Sequence, residues 1–476
     1  MKWYLTKPYQ YYSEQLNKQK LSLAIFGGIL ALLVLNSPTL AVLFPFAILI
    51  GLSLFIFPKV AYWAIVISIP VAIELMSGLT VTTTLVPIAL LSLVLNTSIS
   101  HCNWPISIRS KEEMYSMLFF FFVGVSSLLA ENTIDAIKAT IVSGVSFIIF
   151  FTSASQIKDE RSLKAIMWVL VIIGLIEAII TIAQVKIGFT LPGKWRLTNF
   201  EDTDVSEEFR ADGTTAHPIL LAHYLQFTIV ITVGMFFLHR SVIVKILLFF
   251  AGLLMVFAWY YAFSRTSFIA MAITLITALF IRNKLWRVLI FCFAALILLF
   301  LIVFKIQSIN DLLILLDQLS IYSSSTSKLQ INSGQNSYGF RVEQFYAAWG
   351  VFIDNPIIGV GYEQTPFVYL PYLPYWATNS SHPEVIHNIF FKVLCEQGIL
   401  GVIVFIGLWI AAFKSIKKAW SDEVYGYYAK IIFLVLIGQL VMGAMNPMLK
   451  EIWLSLGISA AIGKLVSAKN KVLLSI

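Results

Sequence analysis

An all-α integral membrane protein is the fold class this sequence predicts, and three observations predict it. The 476 residues are 59% hydrophobic and only 12% charged, where a soluble domain carries about 25% charged residues. Mean hydropathy is +0.86, and apolar runs close to the ~20 residues that cross ~30 Å of hydrocarbon recur along the chain. Lysine and arginine concentrate in alternate connections between those runs, as they do when one face of a bundle stays in the cytoplasm.

The runs, in order, are Leu21–Leu35, Leu40–Phe57, Tyr62–Met76, Thr82–Leu95, Met114–Leu129, Ala136–Ala154 and Ala165–Val185. They continue with Ile219–Leu238, Val242–Phe263, Ser267–Ile281, Val288–Phe304, Val385–Phe413, Ile431–Met445 and Ile452–Val466. Some are short for a full crossing, so about 12–14 transmembrane helices are expected, with a large extracytoplasmic loop containing short helices. Residues 1–187 form an N-terminal bundle, 188–305 central spans with a first outer loop, 306–386 the large loop, and 387–476 the C-terminal spans. No small-residue cleavage site follows Leu21, so the first span is expected to direct insertion without a removable leader. Cys102, Cys292 and Cys395 do not look pairable, and disulfides are not expected.

The basic connections include Lys158, Arg161 and Lys164, Arg240 and Lys245, Arg282, Lys284 and Arg287, and Lys414, Lys417 and Lys418. That set, with both termini, is expected to be cytoplasmic. The two long loops of the opposite set are acidic: Gly188–Ala216 holds three basic and six acidic residues, Ile306–Glu384 two and six. The formal net charge of +8 is therefore a record of insertion, and no nucleic-acid partner is predicted.

Inside the acidic loops a few residues stand out. Arg210 lies in Phe209-Arg210-Ala211-Asp212-Gly213, followed by His217-Pro218 where the chain re-enters the membrane. Arg265 lies in a minimal outer turn, Phe263-Ser264-Arg265-Thr266-Ser267, against the positive-inside bias. Arg341 opens an amphipathic helix with Phe345, Ala348, Trp349 and Phe352 at helical spacing. Asn355-Pro356 ends it, Gly359 and Gly361 make a tight turn, His387-Asn388 enters the next span, and Glu396-Gln397-Gly398-Ile399-Leu400-Gly401 follows.

Guanidinium is charged at every working pH and presents a planar fork of donors matched to phosphate oxygens. Several together can hold a diphosphate leaving group and stabilise the charge that develops on it. A neutral imidazole can take a proton from an attacking hydroxyl. The set describes glycosyl transfer from a diphosphate-linked donor, without metal or cofactor. Taken singly, each arginine reads more simply as a snorkelling or capping residue and His387-Asn388 as a helix start.

In order and placement these motifs resemble the O-antigen ligase and O-antigen polymerase superfamily of bacterial envelope enzymes. The elements are Arg210-Ala211-Asp212-Gly213 with His217-Pro218, the Ser264-Arg265 turn, the Arg341 helix, Asn355 to Gly361, His387-Asn388 and Glu396 to Gly401. The N-terminal spans match only in hydropathy. The resemblance implies a multi-pass glycosyltransferase of the bacterial inner membrane, inverting, with its active site on the periplasmic side. It implies an undecaprenyl-diphosphate-linked oligosaccharide donor, a glycan acceptor, and a flippase and a chain-length regulator as partners within membrane lipid. By the same carry-over His387 is the general base and Arg210, Arg265 and Arg341 bind diphosphate, with Arg341 alternatively at the acceptor. His217, Asn388 and Glu396 support them, His217 as an acceptor contact or, the preferred reading, a helix-start residue.

A polysaccharide polymerase is the preferred reading within that superfamily, ahead of a ligase that transfers glycan to lipid A core. A secondary transporter is the alternative of another class, and it rests on Glu177, a carboxylate deep in a span. Asp202-Thr203-Asp204 has the spacing of a metal-binding pair but sits in a general acidic run. Tyr369–Trp376 offers ring faces for sugar stacking or an interfacial anchor, and Ser320–Ser337 reads as a flexible insert.

Overall fold

The computed structural model describes residues 58–71, 74–76, 79–80, 85, 110–188, 211–215, 217–262, 264–281, 337–374, 386–446 and 450–474. Apart from one antiparallel ribbon, β1 (Glu74–Met76) paired with β2 (Leu79–Thr80), the regular structure described is helical. The helices are α1 (Pro58–Ser68), α2 (Lys111–Leu128), α3 (Thr133–Gln156), α4 (Glu160–Ile187), α5 (Pro218–Leu238) and α6 (Val242–Tyr261). They continue with α7 (Arg265–Phe280), α8 (Ser337–Asp354), the single turn α9 (Thr365–Val368), α10 (Ile389–Ala419), α11 (Gly426–Gly443) and α12 (Lys450–Leu474).

Among the described residues seven helices are long and apolar enough to cross a membrane: α3, α4, α5, α6, α10, α11 and α12. The shorter apolar stretch Thr266–Phe280 lies in α7. Four expected runs, Leu21–Leu35, Leu40–Phe57, Val288–Phe304 and all of Thr82–Leu95 but Leu85, lie outside the described residues. One other needs correction. Tyr62–Met76 is not one span: α1 stops at Ser68, because Pro70 disfavours helical backbone at Ile69, and the chain continues into β1. The Met114–Leu129 run lies in α2 and its C-cap, a helix that opens on Lys111-Glu112-Glu113.

Helix starts follow local chemistry. Ser110 and Glu113 form a capping box on α2, as do Asp159 and Ser162 on α4, each satisfying amide N–H groups that a helix leaves open. Asn132 caps α3 and Asn388 caps α10. Packing joins α2, α3, α10 and α12 on one side and α4, α5 and α6 on the other, with α11 lying against α5, α7, α10 and α12. Trp453 is fully buried, its ring 5.7 Å from Phe119 and 5.0 Å from Phe120. Outward positions stay apolar, as with Ile141 at 71% and Ile243 at 72% exposure, the pattern of a bundle solvated by lipid rather than water.

The two ends of the bundle differ in kind. At one, Lys464 pairs with Glu113 (2.8 Å), Lys469 with Asp422 (3.0 Å), and Lys418 donates to Ser467 (3.0 Å). The 157–159, 239–241 and 420–425 connections sit at that end, beside Lys158, Arg161, Arg240, Lys245 and Lys417. The other end receives residues 211–215, the α6–α7 turn, the 337–374 layer and the start of α10. The motif-bearing segments therefore gather opposite the basic end.

Candidate active site

The 211–215 segment is built onto the bundle from below. Glu177, buried in α4, accepts from the Thr214 amide at 2.9 Å and from the Thr214 hydroxyl. Two turns along, Gln184 accepts from Gly213 N (2.9 Å) and donates to Gly213 O (2.9 Å) and Asp212 Oδ1 (3.1 Å). Burial pushes the Asp212 carboxyl upward against the hydrogen bond from Gln184, which pulls it down. Ala211 N then donates to Tyr261 O at 3.1 Å, joining this segment to the end of α6. Arg210 lies outside the described residues, but its chain neighbour is thus tied to the residue four before Arg265. The midspan carboxylate that kept a transporter in view is engaged by a loop, not by a second helix.

His217 is the N-cap of α5: its Nδ1 accepts from Ile219 N at 3.1 Å, and Pro218 occupies the first turn. That is the helix-start role expected for it. Ser264 caps the entry to α7, with its hydroxyl 3.0 Å from Thr266 Oγ1 and its carbonyl accepting from Ser267 Oγ at 2.8 Å. Arg265 is the first residue of α7; its side chain lies outside the description. Asn446 crosses to this turn from the end of α11, donating to Thr266 Oγ1 at 3.3 Å and sitting 2.9 Å from His223 Nε2.

Arg341 lies one turn inside α8 rather than at its start, because the helix begins at Ser337. It is partly buried, has no hydrogen-bond or ion-pair partner among the described residues, and burial lowers its pKa. Gln344, one turn on and on the same face, accepts from the His387 backbone N–H at 3.0 Å. His387 precedes the N-cap of α10 rather than lying within its first turn. Asn388 accepts from Phe390 N (2.9 Å) and Phe391 N (3.1 Å) and donates to Ala444 O (2.7 Å), so α8, α10 and α11 meet around His387. Phe345 stacks on Phe391 with centroids 4.9 Å apart. Of the four residues at helical spacing on α8, Ala348 is buried, Phe345 and Phe352 are half-buried and Trp349 is exposed, while Ala347 and Val351 complete the buried face.

The turn after α8 and the Glu396–Gly401 segment are a single device. Helix α10 breaks at Gly398 (φ 63°, ψ −164°), and the 355–361 turn enters the break. Val360 N donates to Cys395 O (2.9 Å) and Gly361 N to Glu396 O (3.1 Å), while Ile399 N donates to Pro356 O (2.9 Å). Amides and carbonyls that the broken helix would leave open are thereby satisfied. Glu396, fully buried, accepts from Thr365 Oγ1 at 3.0 Å, and Lys392 pairs with Glu363 at 2.5 Å. Glu396 thus binds the loop from inside, as a support. Tyr369 is buried and Tyr372 donates to Asp354 Oδ2 (2.7 Å), so this part of the aromatic stretch folds back on α8. Tyr375, Trp376, Asp202 to Asp204 and residues 320–336 lie outside the described residues.

Three contributors were missed from sequence: Lys392, His223 and Asn446. Each carried a readable signal, a Lys392/Glu396 pair at i,i+4 spacing within an apolar run, a histidine inside a span, and a second Asn-Pro break at Asn446-Pro447. No group of three or more His, Cys, Asp or Glu able to hold a metal occurs among the described residues.

The anchoring role of Glu177 is open to test. Glu177→Ala removes both acceptors of Thr214 and is expected to lower activity about tenfold or more, by loosening the 211–215 segment. Glycan transfer by the detergent-purified variant, read beside its melting temperature, checks it. Full activity with an unchanged melting temperature would remove that role.

An O-antigen ligase domain matches residues 250–406, in line with the resemblance to the O-antigen ligase and polymerase superfamily. The match runs from within α6 to within α10, taking in Arg265, Arg341, His387 and Glu396 and leaving out Arg210 and His217. It supports glycan transfer of the ligase or polymerase type by a membrane protein, with lipid-linked glycans as substrates. No curated protein matches the chain.

Proposed function

From that domain and the end of the bundle that carries it, we propose that this chain is a polysaccharide polymerase of the bacterial inner membrane, working on its periplasmic face with both termini cytoplasmic. The observation that supports the reading is the hydrogen bond from Ala211, the residue after Arg210, to Tyr261, four residues before Arg265 (3.1 Å). Arg210 and Arg265 clamp the diphosphate of an undecaprenyl-linked donor that enters from the lipid. Arg341, without a counter-ion among the described residues, adds a third charge at the donor or acceptor. His387 accepts the proton of an acceptor sugar hydroxyl as its oxygen attacks the anomeric carbon from the face opposite the leaving group. The bond from that carbon to the phosphate oxygen breaks with inversion. Its electron pair leaves with undecaprenyl diphosphate, whose growing charge the guanidiniums stabilise. The termini follow from the basic end of the bundle, and a flippase and a chain-length regulator are the partners the family resemblance implies.

The description of the matched domain as an O-antigen ligase favours a second reading, in which lipid A core accepts the finished glycan. Purified protein given only the lipid-linked repeat unit of its source strain is expected to form a ladder of extended products. Product appearing only once lipid A core is added would make it a ligase. No product under either condition would overturn glycan transfer.

A further inference from the structure

A histidine outside the matched domain lies under the proposed site. His223, in the second turn of α5, is 3% exposed. Its Nε2 lies 2.9 Å from Asn446 Nδ2, the shortest of that amide nitrogen's contacts, with Thr266 Oγ1 at 3.3 Å and Met442 O at 3.5 Å sharing its second N–H. Nε2 is therefore the acceptor, and in the neutral ring the proton belongs on Nδ1. That Nδ1 is buried and has no hydrogen-bond partner among the described residues. Arg341 and His217 both lie within electrostatic range of the ring, so His223 faces the same end of the bundle as the arginine motifs. A buried N–H left unpaired is costly. Arginine cannot relieve it, since guanidinium carries donors only. The atom that satisfies it must be an acceptor, and the neighbouring Arg341 guanidinium favours a negatively charged one.

We propose that His223 is a diphosphate-binding residue, its Nδ1–H donating to an anionic oxygen of the lipid-linked diphosphate, with Asn446 fixing the tautomer. The proposal rests on the glycan-transfer reading and adds to the arginines a neutral, directional donor approaching from beneath the Ser264–Thr266 turn. Asn446 then has two tasks, because the amide that orients the imidazole also holds the hydroxyl next to Arg265. The charged clamp and the neutral donor are set by one side chain.

Two amide substitutions separate contact with the ligand from action through Asn446. His223→Gln can still reach Asn446 but gives up the Nδ1 donor. His223→Asn places an N–H close to where Nδ1 stood and gives up the contact with Asn446. Binding is read as the shift in melting temperature of detergent-purified protein titrated with undecaprenyl diphosphate, and separately with inorganic diphosphate. His223→Gln is expected to keep the ligand-free melting temperature and to bind both ligands about 10- to 100-fold more weakly, with His223→Asn closer to wild type. If His223→Gln loses its melting transition, the comparison moves to His223→Asn against His223→Ala. Better binding by Asn supports the contact, and equal loss removes it. Wild-type binding by His223→Gln, or weaker binding by His223→Asn than by His223→Gln, would overturn the proposal. Arg265→Ala runs alongside: if it too binds as wild type, the diphosphate reading itself fails, and a loss in Arg265→Ala alone confines the failure to His223.

Discussion

His387→Ala is expected to lower glycan transfer by about 10²–10⁴-fold, the range a positioned general base contributes, with the protein still folded. The second half of that expectation comes from how His387 is held. Its backbone N–H donates to Gln344, and the helix cap that follows is made by the Asn388 side chain. Neither contact uses the imidazole, so truncation leaves both of them in place. Arg265→Ala should behave in parallel, because the turn around it is secured by Ser264, Thr266, Ser267 and Asn446. Arg265→Lys should recover little, since a lysine ammonium cannot present the planar fork that matches phosphate oxygens. Product formed from a lipid-linked repeat unit, measured with variants whose melting temperature matches the wild type, decides the matter. Near-wild-type turnover in well-folded His387→Ala would leave it a helix-start residue and nothing more.

How much of this was legible in the sequence depended on whether the information was local. Spans and caps were local: apolar length marked α3 to α6 and α10 to α12, and Asn-Pro marked the end of α8. Even the failures there had local causes, since Pro70 divides the Tyr62–Met76 run. The orientation of α8 was not local. Phe345, Ala348, Trp349 and Phe352 share one helical spacing, yet of the four only Ala348 is fully buried, Ala347 and Val351 fill the space beside it, and Trp349 turns outward. Glu177 was correctly singled out and its meaning was not recoverable, because its partner, Thr214, arrives from a separate loop. Asn446 and His223 meet from α11 and α5 for the same reason. Side chains whose role is to join distant segments reveal it only when the segments are brought together.

Gly398→Ala is expected to destabilise the protein by several kcal/mol, where Gly144→Ala should leave it unchanged or raise stability by about 0.5–1 kcal/mol. Gly398 occupies backbone space that is essentially reserved for glycine (φ 63°, ψ −164°), and holding another residue there costs about 1–3 kcal/mol before any contact is considered. A Cβ at that position would also lie 2.4 Å from the Ile357 carbonyl carbon and oxygen, both of them backbone. Relief requires withdrawing the 355–361 turn, and the donations from Val360, Gly361 and Ile399 depart with it. Gly144, within α3, meets nothing within 4 Å, so an added methyl gains helix propensity without a clash. Melting of the two variants in the same detergent is the measurement, and equal transitions would show that the turn does not hold the break in α10. The expected difference also separates two kinds of motif in this site. Asn355–Gly361 and Glu396–Gly401 look like companions of His387, but Gly359 and Gly398 are needed where two backbones interlock. Chemistry is left to the few side chains that this interlock, Glu177 and Asn446 hold in place.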